Sequence, residues 1–409
     1  MSDAPTAARP RVAFVTTHPI QYQVPVFRHL HERDDLDLVV LYAMQPTAEQ
    51  QGAGFGVAFE WDLPLLEGYD WVALKNVAAE PSVTQFSGCD TPGIGAVLDE
   101  LAVDAVVVNG WVVKTCLQAL WAAKRRRQPC IVRGEANDLR PRARWKRALQ
   151  GALVRRYDAC LTIGTANEAF YLRRGVSRER LFPARYCVEN DRFEQAAAAA
   201  DRDAIRNELG IGRDAVCYLF SGKLEPKKHP DELIAAFRDA TSRMEAAAET
   251  DAAFETPHLL LVGDGELRAE CERLADGCDR IHFAGFVNQT RIPELYAAAD
   301  CLVLPSDAGE TWGLVVNEAM ATGLPAIVSD EVGCSLDLII AADPSGDGGE
   351  TGWIVPCGEQ AALADRLIEC AQIGRLQAAG ERAKRRIAHY TPAAAADGIA
   401  QAVLATLAR

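Results

Sequence analysis

Long apolar runs are missing from this sequence, and none reaches the roughly 18 residues that a membrane-spanning helix needs. The N-terminus, MSDAPTAARPR, is polar and has no apolar stretch of the kind that signal peptides contain. The twelve cysteines form no C-x-x-C pair and no cysteine–histidine cluster with zinc spacing. These absences argue against a membrane span, a disulfide framework and a structural zinc site, and they predict a cytoplasmic protein with reduced thiols in its core.

Positive charge is also scarce, because 43 lysines and arginines face 57 aspartates and glutamates, a formal net charge of −14. General nucleic-acid binders are usually basic, so we expect no nucleic-acid partner. The hydrophobic content of 49% and charged content of 24% are ordinary for a soluble globular protein. At 409 residues the chain exceeds what one core usually supports, which predicts two domains.

Short apolar runs recur along the chain, and each ends in a turn or a polar cluster. In the first half they are RVAFVTTHP, LDLVVLYA, DAVVVNG, PCIVRGE and DACLTIG. In the second half they are AVCYLFSGKL, HLLLVGDG, IHFAGFV, DCLVLPSD, PAIVSD and GWIVP. Helical patterns such as HPDELIAAFRDA separate most of them. Buried strands that alternate with helices predict an α/β protein built from two doubly wound, Rossmann-like domains with parallel sheets.

The boundary between the two domains is predicted near CVENDRFEQAAAAADRDAIRNELG, where the alanine run is either a helix or a linker. We place the first domain at residues 1–192, joined by a C-terminal helix over 386–409, and the second at residues 193–385. Ligands of doubly wound sheets bind at the carboxyl ends of the strands, so a cleft between two such domains is the expected site.

Glycines and lysines follow two predicted strands of the second half. Gly222, Lys223 and Lys228 come after AVCYLF, and Gly263 and Asp264 come after HLLLV. Glycine lets a ligand approach the backbone, and two lysines beside a helix start suit a diphosphate. The alternatives are two solvated surface lysines, and a turn-forming or helix-capping Asp264. The G-D-G run lacks the third glycine of a dinucleotide fingerprint, so it is a weak signal alone.

Two glutamates flank the next predicted strand end, in GETWGLVVNEAMATGLPAIVSD. The pattern predicts a helix over 314–321 that ends at Gly323. Glu310 precedes this helix and Glu318 lies within it. Eight helical residues separate two side chains by about 12 Å along the axis and roughly 80° around it. The pair therefore resembles two anchors on one elongated ligand, and the alternative is a helix-start charge with a surface-facing Glu318.

Taken together, these motifs resemble glycosyltransferase family 4, the retaining nucleotide-sugar enzymes with the two-domain GT-B fold. The resemblance covers about residues 218–356 and consists of S-G-K-x4-K, V-G-D-G-E-L, F-x-G-F-V and E-T-W-G-L-x3-E-A-M-A-x-G-L-P-A-I in this order. The first half is similar only loosely, through GVSRERLFPARYCVEND, which looks like the segment that closes the family's first domain.

The resemblance implies a role for each matching position. Glu318 would bind the ribose hydroxyls of the donor, and Lys223 and Lys228 would neutralise its diphosphate. Lys223 replaces the family's usual arginine, which keeps the charge and loses the bidentate fork. Glu310 would hold the donor sugar with the backbone around it. The remaining donor-side candidates are Gly222, Gly263, Asp264, Phe286, Val287, Asn288, Thr311, Trp312, Gly313 and Leu314.

The expected chemistry is cleavage of an anomeric C–O bond, which leaves new negative charge on a nucleoside diphosphate. Lysines and the helix N-terminus near Gly313 can stabilise that charge. No D-x-D motif lies in a loop after a predicted strand, because D-L-D at 35–37 starts a strand and D-R-D at 201–203 leads a helix. We therefore expect no metal and no cofactor. Retention of configuration is implied by the resemblance alone.

The first half departs from the family where acceptor contacts are expected. THPIQYQVP replaces the usual glycine-rich loop after the first strand and places His18 there, either as a catalytic group or as a structural hydrogen-bonding residue. Arg133 and Glu135 follow a strand after which many family members have a histidine. Arg133, Glu135 and Asn109 are the acceptor-side candidates. The acceptor itself is predicted only as a glycan, a lipid-linked molecule or a small molecule.

A basic stretch at residues 139–157, LRPRARWKRALQGALVRRY, contains seven arginines and lysines and no acid. Trp145, Leu149 and Leu153 fall four residues apart, on one helical face. One interpretation is an interfacial helix that contacts an anionic membrane on its inner face, or that binds a lipid diphosphate acceptor. The other is an ordinary amphipathic helix with its apolar stripe packed inward.

The main prediction is a glycosyltransferase that acts on a nucleoside-diphosphate sugar, a UDP-sugar by default, in the synthesis of cell-surface glycans, polysaccharides or glycolipids. Two enzymes of similar fold stay open, a sugar-nucleotide epimerase and a glycan phosphorylase. A nucleotide-sugar-binding protein without turnover is a third alternative. A nicotinamide oxidoreductase is disfavoured because the third glycine is missing.

Overall fold

The computed structural model describes residues 9–52, 56–248, 256–340 and 349–409. The polar residues 1–8, on which the signal-peptide prediction rests in part, lie outside this range. The strands of the described part are β1 (Arg11–Thr16), β2 (Asp37–Tyr42), β3 (Asp70–Ala73), β4 (Ala105–Val108), β5 (Cys130–Arg133), β6 (Ala159–Thr162), β7 (Leu181–Pro183), β8 (Cys217–Ser221), β9 (His258–Val262), β10 (Ile281–Gly285), β11 (Cys301–Leu304), β12 (Ala326–Ser329) and β13 (Gly352–Val355).

Helices follow most of these strands, as doubly wound sheets require. In chain order they are α1 (Val24–His31), α2 (Ala48–Gly52), α3 (Ile94–Glu100), α4 (Lys114–Arg126), α5 (Arg144–Val154), α6 (Thr165–Arg173), α7 (Asn190–Ala199), α8 (Arg202–Leu209), α9 (Pro230–Ala248), α10 (Arg268–Ala275), α11 (Ile292–Ala298), α12 (Leu314–Ala321), α13 (Ser335–Leu338), α14 (Gln360–Cys370), α15 (Ile373–Ile387) and α16 (Pro392–Leu407).

The chain divides into two compact units. The N-terminal unit comprises Met1–Thr47, Pro64–Tyr186 and Pro392–Arg409, and the C-terminal unit comprises Ala48–Leu63 and Cys187–Thr391. The division by compactness thus assigns residues 48–63, which precede β3, to the C-terminal unit. The domain ranges inferred from the sequence stay predictions.

The N-terminal unit contains a seven-stranded parallel sheet in the order β3-β2-β1-β4-β5-β6-β7. Strands β4, β5 and β6 of this sheet are buried along their whole length, because helices cover both faces, and this explains their near-continuous apolar sequences. The strand order changes direction between β1 and β4. The crevice at such a switch point is where open α/β sheets bind ligands.

The C-terminal unit contains a six-stranded parallel sheet in the order β10-β9-β8-β11-β12-β13. Its switch point lies between β8 and β11, which pair directly. The loops after these two strands contain the lysines and Glu310 that the sequence singled out. Two such parallel sheets in one chain confirm the predicted pair of Rossmann-like domains.

Each of the eleven apolar runs identified in the sequence contains one of these strands, and α12 spans the predicted residues 314–321. The alanine run belongs to α7, so it is a helix and not a linker. D-R-D at 201–203 leads a helix as predicted, because the Asp201 carboxylate accepts a hydrogen bond from Ala204 N and caps α8. Strands β3 and β7 were not predicted.

All twelve cysteines lie in the described part of the chain, and none forms a disulfide bond. Ten of them are buried. Within the same residues, no helix combines the length and the apolar character needed to cross a bilayer.

Candidate functional site

The loop after β8 is shaped around a lysine side chain. Gly222 has a φ of +144°, and a Cβ at this position would lie 3.2 Å from Lys228 Cε. Lys228 ends a short 3-10 turn and is 9% exposed, so its aliphatic stem packs over the Gly222 backbone. An alanine at position 222 would combine a disfavoured backbone conformation with this close contact. The glycine therefore fixes where the Lys228 ammonium lies.

Neighbouring strand-end loops interlock with this one through their backbones. A Cβ on Gly263, after β9, would lie 1.9 Å from the Gly222 carbonyl oxygen. Gly222 N donates to Val262 O at 2.9 Å, and Gly263 N donates to Gly285 O at 2.8 Å. Asp264 acts as a turn former, since its carboxylate accepts from Gly265 N at 2.8 Å. The loops after β8, β9 and β10 thus form one rigid edge.

Lys228 and Glu310 form a buried ion pair across the switch point. The distance from Lys228 Nζ to Glu310 Oε2 is 2.5 Å, and the two side chains are 11% and 15% exposed. The structure therefore brings together two residues that lie 82 positions apart in the sequence. Each charge supplies the partner that the other needs away from water.

The loop that contains Glu310 is held by its own backbone bonds. Glu310 N donates to Asp307 O at 2.9 Å, and Glu310 O accepts from Gly333 N at 3.1 Å. Trp312 O accepts from Cys334 N at 2.9 Å. The Trp312 indole is 3% exposed and donates to Asn317 Oδ1 at 2.8 Å, so it belongs to the core. The backbone of Trp312, and not its indole, is therefore the part that can contact a ligand.

Glu318 lies on α12 with 1% exposure, and the alternative of a surface-facing glutamate is wrong. Its Oε2 accepts a hydrogen bond of 2.7 Å from the Tyr296 hydroxyl of α11. The apolar neighbours of Glu318 in the sequence indicated this burial, because an apolar helix face packs against the core and a residue on that face is buried with it. Tyr296 as its partner was not foreseen.

Three lysines concentrate positive charge beside the switch point. Burial lowers the pKa of Lys223 from its ordinary value, Lys227 and Lys228 lower it further, and Glu225 opposes the shift. Lys227 Nζ lies 3.2 Å from Glu225 Oε1. Like charges repel one another near this partly buried lysine, and an anion bound beside them would reduce that repulsion.

The loop after β10 packs against residues 56–63, a segment that precedes β3. The Phe59 and Phe286 rings have centroids 4.3 Å apart. Asn288 Nδ2 donates to Glu60 O at 2.7 Å, and Thr290 N donates to Asp62. Sequence reasoning missed this segment, and the only signal was its two aromatic residues outside any strand pattern. Phe286 and Asn288 thus have partners from a distant part of the chain, while Val287 is partly buried between them.

In the N-terminal unit, the loops after β1 and β4 flank the second switch point. His18 Nδ1 and Thr17 Oγ1 are 2.9 Å apart, and burial lowers the pKa of His18 to about 4. The imidazole is therefore neutral at pH 7. Asn109 Nδ2 donates to Thr16 Oγ1 at 3.3 Å, and its backbone N donates to Val15 O. Asn109 is thus held by β1, and His18 contacts the residue that directly follows β1.

Arg133 and Glu135 meet through a tyrosine that the sequence analysis did not single out. The Arg133 guanidinium lies 4.5 Å from the centroid of the Tyr186 ring, and the Tyr186 hydroxyl donates to Glu135 Oε1. Burial and the nearby Glu135 charge raise the pKa of Tyr186 well above its ordinary value, so the phenol stays protonated. Arg133 is 4% exposed, and its Nε has no hydrogen-bond partner among the described residues.

The basic helix differs in part from the inward-packed alternative. Trp145 and Leu149 are 66% and 65% exposed, whereas Leu153 packs against the core. In the first half of α5, the apolar side chains therefore face outward and do not pack against the core. Among the described residues, no group of three or more His, Cys, Asp or Glu side chains is placed to hold a metal ion.

Comparison with known proteins identifies a family model that matches the C-terminal unit and relatives that match part of the chain. Residues 201–386 match the family model described as "Glycosyl transferases group 1". A D-inositol 3-phosphate glycosyltransferase of Geodermatophilus obscurus is 34% identical over 179 residues, which are 41% of this chain and 37% of the relative. A phosphatidyl-myo-inositol mannosyltransferase of Mycobacterium leprae is 35% identical over 142 residues, which are 32% of this chain and 34% of the relative. The chain thus spans about a third of the length of these two relatives.

Solved structures match over nearly the whole chain. Anabaena Alr3699/HepE, in complex with UDP and glucose, has a TM-score of 0.69 at 17% identity and covers 97% of this chain and 100% of its own. Sucrose-phosphate synthase of Thermosynechococcus elongatus has a TM-score of 0.68 at 19% identity, with 98% and 100% covered. The chain therefore has the GT-B fold, and its residues 201–386 are similar to a group 1 glycosyltransferase domain.

Proposed function

We propose that the protein is a retaining glycosyltransferase of the family 4 type. It transfers a sugar from a nucleoside-diphosphate sugar, with a UDP-sugar as the default donor, to an acceptor in the synthesis of cell-surface glycans, polysaccharides or glycolipids. The observation that carries the proposal is the buried Lys228–Glu310 pair at the switch point of a sheet whose unit matches group 1 glycosyltransferases.

The donor is proposed to bind at the carboxyl edge of the C-terminal sheet. Lys223 and Lys228 neutralise the diphosphate above Gly222, and Glu318 accepts hydrogen bonds from the ribose hydroxyls. The interlocked loops favour this role, because a rigid edge does not have to reorganise when the ligand binds. Gly263, Asp264 and residues 286–288 complete the nucleotide side, and residues 311–314 complete the sugar side.

The chemical step requires charge stabilisation more than proton transfer. When the anomeric C–O bond breaks, the departing diphosphate gains negative charge, which fixed ammonium groups lower in energy. Glu310 orients the Lys228 ammonium before the donor arrives, and it then faces the donor sugar. Lysines in this role are the basis on which we propose a metal-independent reaction.

The acceptor is proposed to contact the N-terminal unit through Arg133, Glu135, Asn109 or His18. A His18 that is neutral at pH 7 can accept a proton from an attacking hydroxyl, whereas an imidazolium cannot. The buried Arg133, with an unsatisfied Nε, is a cation suited to an anionic or polyhydroxylated acceptor. The named relatives act on inositol phosphates or phosphatidylinositol, and the proposed acceptor class stays a glycan, a lipid-linked molecule or a small molecule.

A thermal-shift screen with UDP, GDP, ADP, TDP and their common sugars tests the donor site, because a ligand of the folded state raises the melting temperature. Glu318→Gln keeps the side-chain shape and removes the charge. Glu294→Ala, at a partly exposed glutamate on α11, is the matched control. A nucleotide shift that is lost in Glu318→Gln and kept in Glu294→Ala supports the site. An equal shift in both variants contradicts the ribose assignment.

Turnover separates a transferase from a binding protein. With the nucleotide identified, release of nucleoside diphosphate from the sugar donor should be measurable without acceptor and should fall in Lys228→Met. A protein that binds the donor and releases no diphosphate under any acceptor condition would instead be a nucleotide-sugar-binding protein.

A further inference from the structure

The outer surface of α5 exposes apolar side chains that a globular surface rarely leaves open together. Trp145 and Leu149 are two-thirds exposed and one helical turn apart, while Gly151 and Val154 on the same helix are buried. The helix is therefore anchored in the core by its second half and presents its first half outward. An exposed apolar pair of this kind marks a contact surface.

Five arginines surround a pocket of about 520 Å³ beside this pair. Arg174 is fixed by Asp138, with nitrogen–oxygen distances of 2.6 and 3.0 Å, and its carbonyl oxygen accepts from Arg155 at 2.8 Å. Arg144 and Arg147 make no ion pair with any residue that the structure describes. The remaining arginine of the pocket is Arg173. The pocket thus combines two arginines that hydrogen bonds hold in place with Arg144 and Arg147, whose charges have no ion-pair partner among the described residues.

A second basic pocket, of about 550 Å³, continues the first and shares Arg155 with it. Its charged lining residues are Lys124, Arg127, Arg155, Arg156, Arg180, Arg409 and Asp158. Asp158 is the single acid among them, and it is held by Lys124 at 2.7 Å. A continuous surface of this sign is a strong local departure in a chain with a net charge of −14.

Exposed tryptophans lie among these cations. The Arg156 guanidinium is 5.1 Å from the centroid of Trp121, which is 42% exposed, and Lys146 Nζ is 5.5 Å from that of Trp145. Tryptophan beside lysine or arginine is the combination that interfacial helices use, because the indole enters the headgroup layer and the cations meet phosphates. A nucleic acid would also meet the cations but would leave Leu149 exposed.

We propose that this basic surface docks on a bilayer that contains anionic phospholipid. Arg144 and Arg147 bind headgroup phosphate at the five-arginine pocket, and Trp145 and Leu149 enter the interface. The acidic remainder of the chain is repelled by the same bilayer, so the surface also sets the orientation of the N-terminal unit. This inference is independent of the proposed transferase activity.

Sedimentation of the full chain with vesicles tests the proposal. The vesicles are phosphatidylcholine alone or phosphatidylcholine mixed with phosphatidylglycerol, at low and high salt. Wild-type protein should pellet with the anionic vesicles at low salt only. Arg144→Glu/Arg147→Glu should weaken the partition by about 30-fold or more, as expected for the loss of two cations near an anionic surface. Trp145→Ser/Leu149→Ser should also weaken binding to the anionic vesicles at low salt, although this variant keeps every cation of the surface.

The matched control is Arg213→Glu/Arg291→Glu, which reverses two exposed arginines of the C-terminal unit. It should bind vesicles like the wild type. Melting temperatures should stay within a degree or two for all variants, because every changed side chain is exposed. Equal loss of binding in the control would mean that net charge alone decides, which overturns the proposal.

Two further arms distinguish other sources of phosphate. Inorganic phosphate or glycerol phosphate should compete only weakly with vesicles. If they bind tightly while vesicles do not, the pocket is a site for a free phosphate compound and the membrane proposal fails. Labelled single-stranded RNA should show no anisotropy change that depends on Arg144 and Arg147, and such a change without vesicle binding would contradict the proposal equally.

Discussion

Removing the charge of Glu310 should destabilise the C-terminal unit and also expose the role of Lys228. In Glu310→Gln the Lys228 ammonium stays buried, at 9% exposure, without the carboxylate that now lies 2.5 Å away. Breaking a buried ion pair by removing one partner typically costs about 3–5 kcal/mol. For a unit of this size, 3 kcal/mol corresponds to a melting temperature lower by roughly 6–12 °C.

The double variant Glu310→Gln/Lys228→Met separates the pair from its surroundings. Replacing both members of a buried ion pair by groups of similar volume is often close to neutral, so most of the lost stability should return. Calorimetry of the four proteins in the cycle measures this coupling. An additive double variant, or a single variant within about 1 kcal/mol of the wild type, would refute a coupled buried pair.

UDP gives the same cycle a functional readout. If Lys228 binds the diphosphate, the nucleotide supplies the negative partner that Glu310→Gln lacks. UDP should then raise the melting temperature of Glu310→Gln by more than it raises that of the wild type, whereas turnover should fall. A smaller UDP shift in Glu310→Gln than in the wild type would show that Lys228 does not meet the diphosphate.

Other variants address the remaining parts of the two units. Glu318→Gln should weaken nucleotide binding roughly 10–100-fold in calorimetric titration, as for a lost hydrogen bond to a charged group, with little change in melting temperature. Gly222→Ala should lose about 1–3 kcal/mol of stability and displace Lys228, so UDP affinity should fall as well. Burial lowers the pKa of His18 to about 4 from 6.5, so the unfolded chain binds more protons between these values, and stability falls as the pH drops through this window. His18→Asn should flatten that decline in pH-dependent unfolding, and an unchanged slope would contradict the buried neutral imidazole. Phe59→Ala should weaken nucleotide binding more than Phe59→Leu, because leucine still fills part of the space beside Phe286 that alanine leaves empty.

Continuous apolar runs made most of the fold predictable. Strands buried on both faces must be apolar at every position, and the eleven runs found in the sequence are of this kind. Strand β3, Asp70–Ala73, is an edge strand with exposed ends, and β7, Leu181–Pro183, is only three residues long and contains a proline. Neither has the sequence of a buried strand, since edge strands have no requirement for continuous apolar residues.

The candidate site was predictable where its residues are close in the sequence or share a motif. Lys228 and Glu310 were identified separately, and their pairing depends on β8 and β11 being neighbours, which a sequence of alternating elements does not specify. Tyr296 and Tyr186 were missed for the same reason, because each acts on a glutamate from another element. Such contacts arise from strand order and helix packing, not from local pattern.

Charge balance explains how an acidic protein could keep a site for a diphosphate. With a net charge of −14, the chain as a whole repels such a ligand, so the attraction has to come from a few lysines at short range. Two of them are held by acids before the ligand arrives, Lys228 by Glu310 and Lys227 by Glu225. In the proposed donor site, a diphosphate would compete with these carboxylates for ammonium groups that are already in position. Lys223, whose lowered pKa reflects burial near the other two cations, gains most from the added negative charge. The pKa of Lys223 should therefore rise when nucleoside diphosphate binds, and titration of its ammonium by NMR with and without UDP would measure that rise.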